Sequence, residues 1–189
     1  DMKTKAVSVL VDGFSDSLRR PNDIVLASNG DIYFTNPNRK DESSGGRVLC
    51  YSQSQKKLFQ LADSLPYPNG LFISPDRKNL FVACTFGHKI IRYPLSGDGH
   101  KAGPGVEIFR MDGGAGPDGI ELDEHGNLYV SHYGMGRVYY ITQEGKLLSC
   151  ATGFGTDVTN VQIRGEWLYV TEAQKGQVLR IKRSEFEKK

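Results

Sequence analysis

The chain has 189 residues, 38% of them hydrophobic, and a formal net charge of +2 at pH 7. That length supports one substantial core, and no apolar run reaches the roughly 20 residues a membrane-spanning helix requires. Lys and Arg are interspersed with Asp and Glu, so no basic face exists and no nucleic-acid partner is expected.

The first element expected is an alternating strand over residues 5–11 (KAVSVLV), closed by the Asp12-Gly13 turn. A polar link, 15–20, leads into a first unit with strands at 23–27, 32–35, 47–51 and 57–61, in which Asn29-Gly30 is a hairpin signal. The second unit has strands at 71–73, 80–83, 89–93 and 106–110, a Pro75-Asp76 turn, and a polar loop, 96–105, between its third and fourth strands. In the third, a short run holding Ile120 and Leu122 is followed by strands at 128–130, 137–141 and 146–150. The fourth has strands at 161–163, 167–171 and 178–181, and the tail KRSEFEKK beyond them is expected to fray. Helical periodicity is weak throughout, so the chain reads as all-β.

The units open on related phrases: RPNDIVLASNGDIYFTN from Arg20, YPNGLFISPDRKNLFVA from Tyr67, GPDGIELDEHGNLYV from Gly116 and TNVQIRGEWLYVTEA from Thr159. A period of roughly 40 to 50 residues with about four short strands per unit is the mark of a β-propeller. A single propeller domain over 1–189 is expected, with repeats starting near 21, 68, 117 and 159. The inventory is one orphan outer strand, three complete units and a last unit lacking its outer strand. It fits either a closed four-bladed ring or the later part of a larger one. An open ring would leave strand edges and apolar blade faces uncovered, so self-association is expected of these residues alone.

Residues at the start of the innermost strands of a propeller converge on its central channel, and here they are Asn22, Asn69, Asp118 and Asn160. Carboxamide and carboxylate oxygens are hard ligands of the kind Ca²⁺ or Mg²⁺ takes, and a cation would offset the cost of burying them. Asn and Asp before Gly are also ordinary turn residues. Three copies in register, each after a proline, favour the site. Cys50, Cys84 and Cys150 sit among strand-like apolar neighbours and read as buried free thiols. His132, after the second strand of its unit, is a candidate substrate contact at the pocket mouth, whereas His88, His100 and His125 fall in turns and loops where exposure is expected. Zinc spacing, a nucleophile elbow and a phosphate loop are all absent.

The four phrases resemble the successive blade motifs of the gluconolactonase and regucalcin (senescence marker protein) family, in the family's order and from about Leu18 to Ile181. The resemblance implies a six-bladed propeller, present here as its later two-thirds, with a divalent cation at the bottom of the central pocket. Calcium is the usual ion, with Mg²⁺ or Zn²⁺ as alternatives. It implies Asn69 and Asp118 as metal ligands, Asn22 touching the metal or the substrate beside it, and Arg20 as a substrate-binding arginine. A glutamate in the family's first blade completes the coordination, and this chain starts after the place where it should lie. Glu107, Glu121, Glu144, Glu166 and Glu172 all fall in outer strands or away from blade starts, and Asn36 stands where many members carry aspartate. The implied activity is metal-dependent opening of a sugar or related lactone, a small-molecule lactone or ester being the partner, with Asp118 as general base and Asp23 as second candidate. The alternative is a non-catalytic propeller that binds a protein or small ligand and has a degenerate metal site. With no charged-then-apolar leader at Asp1-Met2-Lys3, the cytoplasm is favoured.

Overall fold

Short runs of β-branched and aromatic residues, punctuated by glycine, aspartate and asparagine, let each segment pair readily with the next. The computed structural model is accordingly a succession of antiparallel sheets, and it describes residues 7–11, 20–37 and 45–187. The first sheet is β1 (Ile24–Leu26), β2 (Ile32–Asn36), β3 (Gly46–Ser52) and β4 (Lys57–Leu65). The second is β5 (Pro68–Ile73), β6 (Asn79–Cys84), β7 (Lys89–Pro94) and β8 (Val106–Arg110). The third is β9 (Gly116–Leu122), β10 (Leu128–Tyr133), β11 (Arg137–Ile141) and β12 (Leu147–Thr152), and the fourth has three strands, β13 (Val158–Arg164), β14 (Trp167–Glu172) and β15 (Gln177–Lys182). Each sheet pairs its strands in chain order, which is the blade arrangement of a β-propeller.

Period-two alternation explains why the middle strands read as unbroken apolar runs. In β6, Leu80, Val82 and Cys84 face the first sheet's core while Phe81 and Ala83 face the third sheet's. β10 does the same with Leu128 and Val130 on one side and Tyr129 on the other. Three cores thus lie between consecutive sheets. The far face of the first sheet carries a smaller cluster of Phe34, Leu49 and Tyr51, and leaves Ile24 66% and Leu26 68% exposed.

Three expectations are corrected. Residues 7–11 form no strand, while 5–6, 12–13 and 15–19 lie outside the described residues. The loop 96–105 is not a solvent-facing connection. It closes on itself through a Leu95–Ala102 bridge and leans against the first sheet, where Tyr33 donates to the Gly99 carbonyl (3.1 Å) and His100, expected in solvent, is 7% exposed. The described part of the tail does not fray: Ser184–Glu187 is a helical turn, α1, whose Phe186 ring lies edge-on to Tyr129 at 5.2 Å, while 188–189 lie outside the described residues. Arg183 ties its base to Glu124 (2.6 Å). Cys50 and Cys84 are buried as expected, but Cys150, on the outer strand β12, is exposed.

Candidate metal centre on the propeller axis

The first strands β1, β5, β9 and β13 lie side by side in that order. Each of the last three carries an extra residue relative to its neighbour strand. Pro68 and Leu71 oppose Cys84 and Val82, Pro117 and Ile120 oppose His132 and Val130, and Val158 and Asn160 oppose Glu172 and Thr171. These are β-bulges at Asn69-Gly70, Asp118-Gly119 and Thr159-Asn160. A bulge re-aims a side chain that strict alternation would send elsewhere, and such features concentrate beside functional sites. Here they aim one polar side chain per sheet at the axis.

The glycines in these motifs are not turn residues. Gly70 and Gly119 lie inside strands and keep ordinary φ. A Cβ on Gly70 would stand 2.1 Å from the Asp118 carbonyl oxygen, and one on Gly119 would stand 2.1 Å from Asn160 Oδ1. Glycine is there because neighbouring inner strands approach too closely for any side chain, so the turn reading of Asn-Gly and Asp-Gly fails.

The result is a polar cavity of about 590 Å³ lined by Asn22, Asp23, Tyr67, Asn69, Asp118, Thr159, Asn160 and Thr171. Asn22 Nδ2 donates to Asn69 Oδ1 (2.7 Å), and Asn69 Nδ2 donates to Thr85 Oγ1 (3.1 Å). The Asp23 carboxylate accepts the backbone N–H groups of Ile24 (2.9 Å) and Leu71 (3.0 Å), bracing β1 against β5. Burial raises its pKa, and those two bonds oppose the rise. Asp118 has no such relief among the described residues. Burial first, and the charge of Asp23 second, push its carboxyl up to about 7.

A second cavity of about 310 Å³ continues past Asp23 and Asn160 to Glu121 and Gln162. Glu121 was set aside from sequence, yet it lies on the innermost strand and is buried, its carboxyl pushed up to about 7 mainly by that burial and bonded by Gln162 Nε2. The bulge at Asp118-Gly119 is why both acids of GPDGIEL reach the axis when alternation alone would separate them.

Two expected contacts are not brought to the cavity. His132 is 0% exposed: alternation along β10 places it with Leu128 and Val130 on the face toward the second sheet, where Nε2 meets the Gly113 carbonyl (2.9 Å). Burial lowers its pKa, so the ring is a neutral interior group and not a contact at the pocket mouth. Arg20 is exposed, does not line the cavity, and holds its backbone N–H on Asn36 Oδ1 (2.8 Å).

What the sequence reading missed is a row of hydroxyls. Thr35 donates to the Asn69 carbonyl (2.8 Å), Thr85 to the Pro117 carbonyl (2.8 Å) and Ser131 to the Thr159 carbonyl (3.0 Å). Each sits on or just after the second strand of one sheet and clasps the next sheet's inner strand at its bulge. The signal was present as a hydroxyl residue late in every second-strand phrase, YFT, VACT, YVS and YVT.

The donor set of the cavity suits a hard divalent cation. A carboxyl held near neutrality by burial and a nearby like charge gains most from a positive ion, and amide oxygens complete an all-oxygen set. Fold and cavity together define a β-propeller with an acidic, oxygen-lined axial centre. The chain belongs to the SMP-30/gluconolactonase/LRE-like family, whose model matches residues 1–174. It is 32% identical over 126 residues to a lactonase drp35 of Staphylococcus haemolyticus, covering 66% of this chain and 39% of that protein. The chain therefore spans well under half the length of that relative. Among solved structures it resembles a gluconolactonase from Xanthomonas campestris (TM-score 0.72, 26% identity, 86% of this chain and 58% of that one). It also shares the fold of a calcium-binding regucalcin from Agrobacterium tumefaciens (TM-score 0.70, 23% identity, 80% and 52%). Among the described residues, no helix is long and apolar enough to cross a membrane.

Proposed function

We propose that this chain is part of a metal-dependent hydrolase that opens a sugar or related lactone, with a divalent cation held by Asp118, Asn69 and Asn22. The observation that carries the reading is the Asp118 carboxyl, pushed up to about 7 in a polar cavity that it shares with both amides. Such a donor set fits Ca²⁺, and the likeness to a lactonase and a gluconolactonase points to a lactone as substrate.

When bound, the cation supplies Lewis-acid polarisation of the lactone carbonyl. Asp118 takes the proton of the attacking water as its oxygen adds to the carbonyl carbon, and returns that proton to the ring oxygen as the ring C–O bond breaks, giving the hydroxy acid. Asp23 is the second candidate for that proton, less free because two backbone N–H groups already occupy it. The test is gluconolactone opening by the full-length protein with Ca²⁺ and after chelation. Rapid opening that collapses on chelation is expected. Equal rates in both states would remove the metal from the reaction, and no opening in either would leave a propeller that only binds.

A further inference from the structure

Away from the axis, three potential metal ligands meet between the first two sheets. Asp31 follows the Asn29-Gly30 turn, Cys50 lies on β3, and His100 comes from the loop that the second sheet sends across. They are 2%, 0% and 7% exposed, and their ligand atoms all lie within 4.8 Å of one another. We propose that Asp31, Cys50 and His100 form a structural site for a zinc-class transition metal, distinct from the axial oxygen site, that fastens the 96–105 loop to the first sheet.

The ligand chemistry differs from that of the axis. Thiolate, imidazole and carboxylate together suit Zn²⁺ or Co²⁺ and are a poor match for calcium. One edge of the site is already set: His100 Nε2 lies 3.0 Å from Asp31 Oδ2, close to the spacing of two ligands on one tetrahedral ion. Typical metal–ligand bonds of about 2.0–2.3 Å need the thiol to close in by at most about 1 Å, since no two ligand atoms are more than 4.8 Å apart. The imidazole is held in plane by Phe59, stacked on it at 4.3 Å and 4°.

An outer shell is present as well. Asp98 Oδ2 lies 3.7 Å from His100 Nδ1, and Gln55 Nε2 lies 3.3 Å from it. With the metal on Nε2, the ring proton moves to Nδ1, where Asp98 and the Gln55 oxygen after an amide turn can accept it. That is the carboxylate–histidine–metal arrangement that orients such ligands. Asp31 keeps its other contacts, from the Gln53 N–H (3.0 Å) and Asn29 Nδ2 (2.7 Å). Proton balance is simple: the Cys50 thiol proton leaves as the sulfur binds, making the site neutral overall. Without a metal, burial foremost pushes that thiol up to about 12, with Asp31 and Asp98 adding to the rise, and Tyr33 and Arg77 opposing it. Cys84, also pushed up to about 12, has no such companions in the cluster and serves as the control.

The test is Co²⁺ titration of the full-length protein after chelation, carried out in the Asp118→Asn background so that the axial site cannot contribute. One equivalent should bind with an intense sulfur-to-cobalt band in the near ultraviolet and the visible spectrum of a tetrahedral ion. Cys50→Ser should abolish the near-ultraviolet band, Asp31→Asn should weaken binding by about tenfold or more, and Cys84→Ser should change neither. Zn²⁺ at a hundredfold excess over its dissociation constant should raise Tm by about 5–10 °C, an effect absent in Cys50→Ser. No sulfur band in the parent, or one that survives Cys50→Ser in a protein whose circular dichroism is unchanged, would overturn the site and leave an Asp–His hydrogen-bonded brace.

Discussion

Asp118 and Asp31 stand in sheets of the same design, yet their carboxyls are driven in opposite directions. Asp118 on the axis is pushed up to about 7 by burial and by the charge of Asp23. At the periphery, burial would raise Asp31 too, but bonds from His100, Asn29 and Gln53 outweigh it and hold the carboxyl below its ordinary value. Burial alone therefore does not decide which way a carboxyl's pKa moves. What separates the two is whether the surrounding backbone and side chains supply donors, and on the axis the bulges turn acids toward one another while the nearby N–H groups go to Asp23 and to the Ser131 hydroxyl.

The largest test of that contrast is Asp118→Asn. Removing this carboxylate, which has no hydrogen-bond donor among the described residues, should lower lactone hydrolysis and cation affinity at least about a hundredfold, read by initial rates and calorimetric titration. The same change should stabilise the metal-free protein by about 1–2 kcal/mol at pH 8, because a poorly solvated charge is gone. The sign follows from linkage. A carboxyl whose folded pKa is raised costs stability as pH climbs from about 4 to about 7, so the gain in Tm should grow across that window and vanish below it. Asp31→Asn should do the reverse, losing stability at neutral pH and progressively less as pH falls below about 4 and through the depressed folded pKa. A smaller effect is expected from Gly70→Ala. The added methyl would meet the Asp118 carbonyl at 2.1 Å and must part β5 from β9, costing about 2–3 kcal/mol in urea melts, whereas Gly165→Ala, with open space around it but a left-handed φ of 58°, should cost about 1.

Most of the strand inventory was legible because short apolar runs between Asn-Gly, Pro-Asp and Gly-led turns have few other ways to fold. The axial residues Asn22, Asn69 and Asp118 were legible as repeats in register. Glu121 was not, since its approach to the axis depends on a bulge that no local propensity announces. His132 was misplaced for the matching reason: its facing is fixed by β10 alternation, which the phrase SHYGMG leaves undefined. His100 and the tail were misread because polar sequence was equated with exposure, whereas a loop or tail can bury one ring, His100 against Phe59 or Phe186 against Tyr129, and leave the rest in solvent.

The finest test concerns the hydroxyl clasps that hold the axis together. Thr85 both accepts from Asn69 Nδ2 (3.1 Å) and donates to the Pro117 carbonyl (2.8 Å), so it links the amide of one sheet to the bulge of the next. Thr85→Val keeps the shape and removes both bonds. The buried carbonyl loses its donor, and the expected cost is about 1–2 kcal/mol, seen as a fall in Tm of about 3–6 °C. If the clasp serves only stability, cation affinity should stay within about twofold of the parent once measured well below that Tm. If it also fixes the Asn69 amide, affinity should fall by about tenfold while the pH at which binding fails, set by Asp118, does not move. A split of that kind would separate the group that titrates from the group that positions, which neither Asp118→Asn nor Gly70→Ala can do, because the first removes the carboxylate and the second presses on the backbone that carries it.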